Sequence, residues 1–369
     1  MITRRSLIRS GLAAALATCS QTGRTHAYEE GGATDWYMPE EGASHKRTWM
    51  AFGPSVEIWG PEFVDRARAD LATLARTIAR FEPVSMLVRP SEMELARELV
   101  GDAIVELVPV ALDDLWIRDT GPVFVRHPRG GKAGVDLNFN GWGDKQAHHA
   151  DAKIATYVSR RADVPVLKAN VVAEGGGIEV DGEGTAILTE SCFINDNRNP
   201  ELDKLAIEHA LADLFGLYKV IWLPGLRGQD ITDGHTDFYV RFVRPGVVVA
   251  AVDSDPDSPN HAVTKQHLAI LKEATDALER PIKVIELENP TSFRGEELSE
   301  DFAASYLGFY VCNGAVIAQQ FGDEMTDLAV KKILTSEFPK RELVQLDMDG
   351  IAAGGGSIHC ATQQEPKAR

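Results

Sequence analysis

The chain holds 369 residues, 44% hydrophobic and 25% charged, with a formal net charge of −17. That length allows one large domain or two ordinary ones, and the composition is that of a globular protein with a sizeable core. The acidic balance argues against nucleic acid or anionic lipid as a partner and suits a small cationic substrate.

The first residues are a separate object. Thr3-Arg4-Arg5-Ser6-Leu7-Ile8-Arg9 precedes a short apolar stretch, Gly11 to Thr18, and Thr25-His26-Ala27 offers a small-x-small cleavage site. Paired arginines ahead of a modest apolar run have the form of a twin-arginine export signal, so residues 1–27 are expected to direct export to the periplasm. The run is too short to span a bilayer. A weaker variant is a lipoprotein anchored at Cys19, where Thr18 is a poor fit to a lipidation box.

Beyond this signal, strand and helix patterns alternate. Phe63–Ala79 has helical spacing, and Val84–Val88 reads as a buried strand. Ser91–Val100 reads as a helix with Ser91 as cap and Glu94 closing a capping box, and Ile104–Val110 as a strand. Val123–Val125, Gly134–Phe139 and a helix at Ala152–Arg161 form the next group. Ile178–Val180, Ala186–Thr189, a helix at Pro200–Phe215 and Lys219–Leu223 form another. Phe238–Val243, Val247–Ala251, His261–Leu278 and Lys283–Leu287 repeat the order. So do Tyr306–Tyr310, Ala315–Gln319, Glu324–Phe338 and Leu343–Asp347. Strand, strand, helix, strand over about 60 residues is not the strict alternation of a doubly wound sheet; it favours a closed ring with room for about five units. No Ser/Gly-rich linker divides residues 28–369, which read as one domain.

Four polar clusters stand at junctions of strand and loop. They are Asp113-Asp114-Leu115-Trp116-Ile117-Arg118-Asp119-Thr120-Gly121-Pro122, Glu174-Gly175-Gly176-Gly177, Asp233-Gly234-His235-Thr236-Asp237 and Gly354-Gly355-Gly356-Ser357-Ile358-His359-Cys360. Glycine lets the backbone turn and leaves the neighbouring side chain open to a cleft. His235 and Asp237, two apart, share a face if the backbone is extended. Each cluster also has a plain structural reading: a turn aspartate at Asp119, a hairpin loop at Glu174, a half-buried His235, an acid-paired Arg118, and Cys360 as a small buried hydrophobe. Cys192 and Cys312 read as core positions, and no CxxC or clustered Cys/His spacing suggests zinc. His148-His149 with Asp151 face opposite ways on a strand, so they read as no metal site. Asp253-Asp255-Asp257 lacks the Gly and Glu that a calcium loop requires.

Together the clusters supply a thiol, an acid–base residue and three carboxylates. That set suits nucleophilic displacement at a guanidinium carbon. Carboxylates grip the planar cation, a thiolate attacks its poorly electrophilic carbon, and a histidine protonates the departing ammonia.

These clusters resemble the guanidine-modifying (pentein) superfamily, in its agmatine deiminase and bacterial-type peptidylarginine deiminase branch. The likeness starts at Met38-Pro39-Glu40 and His45-Lys46-Arg47-Thr48-Trp49-Met50. It continues through Asn138-Phe139-Asn140-Gly141-Trp142-Gly143, Asn197-Arg198-Asn199-Pro200 and Val220-Ile221-Trp222-Leu223-Pro224-Gly225, and includes all four clusters. The resemblance implies an α/β fold, a five-bladed propeller of ββαβ units around a polar cavity. It implies Cys360 as nucleophile, His235 as acid and base, and Glu174 as the partner of His235. Asp119 and Asp237 would clamp the guanidinium, with Trp116 and Gly356 beside the substrate. It implies no metal or organic cofactor, and a ring with open sheet edges is expected to form a homodimer. The expected substrate is agmatine, with peptidylarginine or another guanidine as the rival and a non-catalytic guanidinium-binding protein as a third reading. Three features depart from the agmatine-specific pattern: Ser357 and Asp233, where Asn is usual, and the loop Arg227-Gly228-Gln229-Asp230-Ile231.

Overall fold

The structure, a computed structural model, describes residues 35–294 and 299–368. The export signal expected over residues 1–27, with Cys19, lies outside the described residues. Strand β1 (His45–Phe52) leads into helix α1 (Val56–Ile78), β2 (Val84–Val88), α2 (Met93–Val100) and β3 (Val105–Pro109). The next unit is β4 (Val123–Arg126), β5 (Lys132–Asp136), α3 (Ile154–Arg161) and β6 (Val166–Lys168). A third is β7 (Glu179–Val180), β8 (Thr185–Thr189), α4 (Lys204–Phe215) and β9 (Lys219–Leu223). A fourth is β10 (Val240–Arg244), β11 (Val247–Val252), α5 (Pro259–Glu273) and β12 (Lys283–Glu288). The fifth is β13 (Tyr310–Cys312), β14 (Ala315–Gln320), α6 (Glu324–Glu337) and β15 (Glu342–Asp347), after which β16 (Gln363–Pro366) follows.

Each unit forms its own sheet, first strand antiparallel to the second and third strand parallel to it. A parallel step needs a crossover, which the helix supplies. The first unit borrows its opening strand from the far end of the chain: β16 pairs antiparallel with β1, which runs parallel to β2. The ββαβ order read from the sequence therefore holds in five small mixed sheets. Middle strands such as Val247–Val252 are buried almost throughout, whereas Glu342–Asp347 is only partly covered. That is why the middle strands read as unbroken apolar runs.

A tight turn precedes every opening strand. These are Ile117–Thr120, Gly175–Gly177, Thr236–Phe238, Tyr306–Gly308, and the segment holding His359 and Cys360. The first four touch in that order. The circle is completed by His359 N–H, which donates to Gly308 O at 2.9 Å, and by Arg118 N–H, which donates to Cys360 O at 3.1 Å. The polar clusters therefore sit at the start of the innermost strands, facing one another across an axis.

Local expectations shift at element ends. Pro90, with its fixed φ, opens a 3-10 turn over Pro90–Glu92, so α2 starts at Met93 and Ser91 makes no capping bond. Helix α4 begins at Lys204 because the Asp203 side chain accepts from Ala206 N–H at 2.9 Å. Helix α5 stops at Glu273, before a turn in which Asp276 accepts from the N–H groups of Leu278 and Arg280.

Candidate active site

The converging turns enclose a cavity of about 800 Å³ lined by Cys360, His235, Asp119, Trp116 and Gly356 among others. Cys360 is 6% exposed, at the cavity wall instead of deep in the core. Its Sγ lies 3.4 Å from Ser357 Oγ and 3.9 Å from Asp237 Oδ2. Asp119 accepts from Gly176 N–H through Oδ1 and from the Trp142 indole through Oδ2, both at 3.0 Å. His235 Nε2 faces Glu174 Oε2 at 3.2 Å, and its Nδ1, without a hydrogen-bond partner, is 3.8 Å from Asp119 Oδ1. Asp237 Oδ1 is likewise buried and unpaired. Both atoms are polar groups that a bound polar ligand can satisfy.

The five predicted carboxylate, imidazole and thiol positions thus come together, but not by the expected route. Thr236–Phe238 is a 3-10 turn, so Asp237 reaches the site by local winding and not by alternation on a strand. The Gly176 backbone passes so close that a Cβ there would sit 2.6 Å from His235 Nδ1, 2.9 Å from Asp119 Oδ1 and 3.1 Å from Asp237 Oδ2. Gly176→Ala is therefore expected to lower kcat/KM at least about 100-fold, since a misplacement of about 1 Å carries that cost. Steady-state kinetics with a matched melting curve checks it.

The glycine run is shaped by tryptophans. A side chain at Gly354 would enter the ring of Trp59, and one at Gly356 the ring of Trp116. These two indoles stack at 5.8 Å, and both donate to Asp114. Gly356 is therefore required by Trp116, which itself lines the cavity.

Electrostatics sort the groups. Burial pushes the Cys360 thiol far up, and the nearby Asp237 and Asp119 push it further. Burial works against charge on His235, but Asp119 and the contacts with Cys192 and Glu174 outweigh it and raise its pKa well above 6.5. Burial raises Asp119. Glu174 is lowered despite burial by Arg198 and His235, and Asp237 by its hydrogen bond from His359. These directions favour a protonated thiol and a charged His235.

Several working residues gave no clear signal in the sequence. Arg198 Nε donates to both oxygens of Glu174, at 2.8 and 3.1 Å, and its Nη1 reaches Asp233 at 2.9 Å. Cys192, read as core, is buried yet touches Glu174 Oε2 at 3.6 Å. Cys192, Glu174 and His235 are close enough to hold a cation, but Arg198 already occupies the carboxylate. Arg118 pairs with Glu41 at 3.4 Å, as its acid-paired reading anticipated. Cys312 is fully buried in the core. Asp151 accepts from the N–H groups of Asp113 and Asp114 and so braces that loop.

The buried acids set a pH dependence. Burial pushes Asp114 up to about 6 and Asp151 to about 7, from 3.8 in the unfolded chain. Their protons stabilise the folded state fully below about pH 4, and that contribution is lost as pH rises toward 7. His235 acts in the same sense, its contribution present below 6.5 and lost through its raised folded value. Asp233, held at about 2 against its burial by Lys145, Asn197 and Arg198, stabilises above 3.8 and loses that contribution as pH falls through 2. The melting temperature is expected to peak at about pH 4 and fall several degrees by pH 8. Calorimetry across that range checks this; a steady rise from pH 5 to 8 would contradict it.

Comparison with known proteins agrees with the site. A profile described as Porphyromonas-type peptidyl-arginine deiminase matches residues 37–366. The chain belongs to this family. A Stutzerimonas stutzeri protein named agmatine deiminase is 37% identical over 357 residues, covering 90% of this chain and 95% of the relative. A Streptomyces coelicolor protein, named as an agmatine deiminase of unproven activity, is 44% identical over 337 residues, covering 89% of this chain and 98% of its own. The solved agmatine deiminase of Enterococcus faecalis superposes with a TM-score of 0.82 at 30% identity, covering 90% of this chain and 96% of that one. Within the family the three departures now have places. Ser357 lies beside the Cys360 sulfur, and Gln229, Asp230 and Ile231 line the cavity. Asp233 faces away from it, paired with Lys145 at 2.7 Å and with Arg198.

Proposed function

We propose that the protein is a hydrolase that deiminates agmatine, giving N-carbamoylputrescine and ammonia through a covalent adduct on Cys360. The observation that carries the substrate is the cavity lining. Aspartates and glutamates line it from Asp114 to Asp301, and among the described residues no lysine or arginine does. A dication with no carboxylate suits such walls; free arginine would bring its α-carboxylate against them.

The geometry supports the following course. The guanidinium enters between Asp119 and Asp237, meeting the free Asp237 Oδ1 and the inner face of Trp116. Its charge offsets the two carboxylates that hold the thiol protonated, so the Cys360 proton departs to solvent once substrate is bound. Sγ then adds to the guanidinium carbon. His235, an imidazolium steadied by Glu174, gives a proton to one nitrogen; the C–N bond breaks and ammonia leaves. The resulting amidino-thioether is attacked by water, whose proton His235 takes up. The C–S bond then breaks as the adduct's hydroxyl proton passes to the departing sulfur, restoring the thiol and leaving the carbamoyl product.

A second reading, peptidylarginine, draws support from the cavity of about 800 Å³, which is more than a short dication fills. A substrate panel of agmatine, free arginine and an internal arginyl peptide, read by ammonia release and ureido colorimetry, separates the cases. Agmatine is expected to be turned over with the highest kcat/KM; ammonia only from the peptide would replace the reading. Periplasmic export is proposed on residues 1–27 alone, and cell fractionation tests it. The homodimer expected from open sheet edges is tested by sedimentation equilibrium.

A further inference from the structure

The histidine directly before the nucleophile has no role in the course above. His359 is 2% exposed and does not line the cavity. Its Nδ1 lies 2.7 Å from Asp237 Oδ2, and its Nε2 lies 2.7 Å from Glu41 Oε2. Carboxylate oxygens only accept, so the ring is held between two acceptors and a proton on Nδ1 is donated to Asp237. The acids facing this ring are Glu41, Asp237 and Glu179, and the cations beside it are Arg118 and Arg241.

Glu41 is itself fixed. It accepts from Arg241 Nη2 at 2.9 Å, Arg118 Nη2 at 3.4 Å and Val311 N–H at 2.8 Å. It comes from the segment ahead of β1, which thus reaches the axis from a part of the sequence remote from every catalytic cluster.

We propose that His359 is a positioning residue: gripped by Glu41, it ties down Asp237 Oδ2, leaving Oδ1 to face the guanidinium and drawing charge from the oxygen nearest the Cys360 sulfur. The inference rests on Cys360 and Asp237 having the parts assigned to them above. His359 would then act twice through Asp237, on substrate affinity and on thiolate formation. Removing the ring leaves a fuller negative charge 3.9 Å from Sγ, which disfavours the thiolate.

The test uses the full chain, as wild type, His359→Gln and Glu41→Gln. Cys360 alkylation by iodoacetamide at pH 8 is followed by peptide mass spectrometry, alongside kcat and KM for agmatine. In His359→Gln, alkylation is expected to slow about tenfold and kcat/KM to fall roughly 10- to 100-fold with a raised KM, the worth of one hydrogen bond to a charged group. Glu41→Gln should move both readings the same way by less. A folded His359→Gln that alkylates at the wild-type rate or faster overturns the proposal, because a merely loosened loop would expose the thiol. Should His359→Gln not fold, Glu41→Gln decides by the same criterion. If wild type releases no ammonia from agmatine yet alkylation slows in the variants, the substrate reading falls and the role of His359 stands.

Discussion

Cys360→Ser is expected to lower kcat on the order of 10⁵-fold or more while leaving the fold and agmatine binding in place. The sulfur is set for one task. It stands at the cavity wall, 3.9 Å from the aspartate proposed to hold the substrate, in surroundings that already resist its ionisation. A hydroxyl there is far less acidic than a thiol, and the bound cation could not make it an alkoxide. The serine is close in volume and has Ser357 Oγ as a neighbour, so packing changes little. Ammonia release, calorimetric titration with agmatine and a melting curve would be measured on the same preparation. Mass spectrometry of acid-quenched wild type should show the adduct on the peptide carrying Cys360. Residual turnover above roughly one per cent would mean that another group attacks.

Arg198→Met should be the most damaging change to stability in the site, at about 3–5 kcal/mol, because it strands a buried charge. Glu174 is fully buried, and Arg198 is its fixed counter-charge through two hydrogen bonds from Nε. Without it Glu174 takes up a proton and no longer steadies His235 as an imidazolium, so activity falls as well. Pairing the change with Glu174→Gln removes the stranded charge; the double variant should regain much of the lost stability and none of the activity. Chemical denaturation and steady-state kinetics on the two single variants and the double variant test this. Equal stability losses in Arg198→Met and the double variant would show that packing and not charge was at stake.

The residues proposed to react stand out in the sequence because of where the fold puts them. Asp119, Glu174, His235 and Cys360 each lie in a turn that opens an inner strand, and such turns carry glycine or a short polar run that stands out from apolar strands. The groups behind them were not legible. His359 meets Glu41 across 318 residues, and Arg118 meets Gln364 across 246, distances no local pattern encodes. The closing strand was missed for a related reason. Gln363-Gln364-Glu365-Pro366 has no strand-like alternation, yet all four residues are buried. Most of their polar groups find distant partners, though Gln363 Oε1 does not: Gln363 Nε2 donates to Pro122 O at 2.6 Å, and Glu365 Oε2 accepts from the Trp49 indole at 3.0 Å. Strand propensity reports fit to a half-apolar pleat, and this strand is buried by hydrogen bonding instead. Alternation on an extended strand does not describe Asp237, since a 3-10 turn brings it beside His235.

The pairing of β16 with β1 has a consequence in time. During synthesis four complete units emerge, with their carboxylates and His235, before either the nucleophile or the strand that closes the first sheet. Cys360 precedes that strand by three positions, so sulfur and closure arrive together. A nascent chain therefore carries the charged walls of its site and His235 before it carries the Cys360 thiol, which emerges together with the strand that shuts the ring.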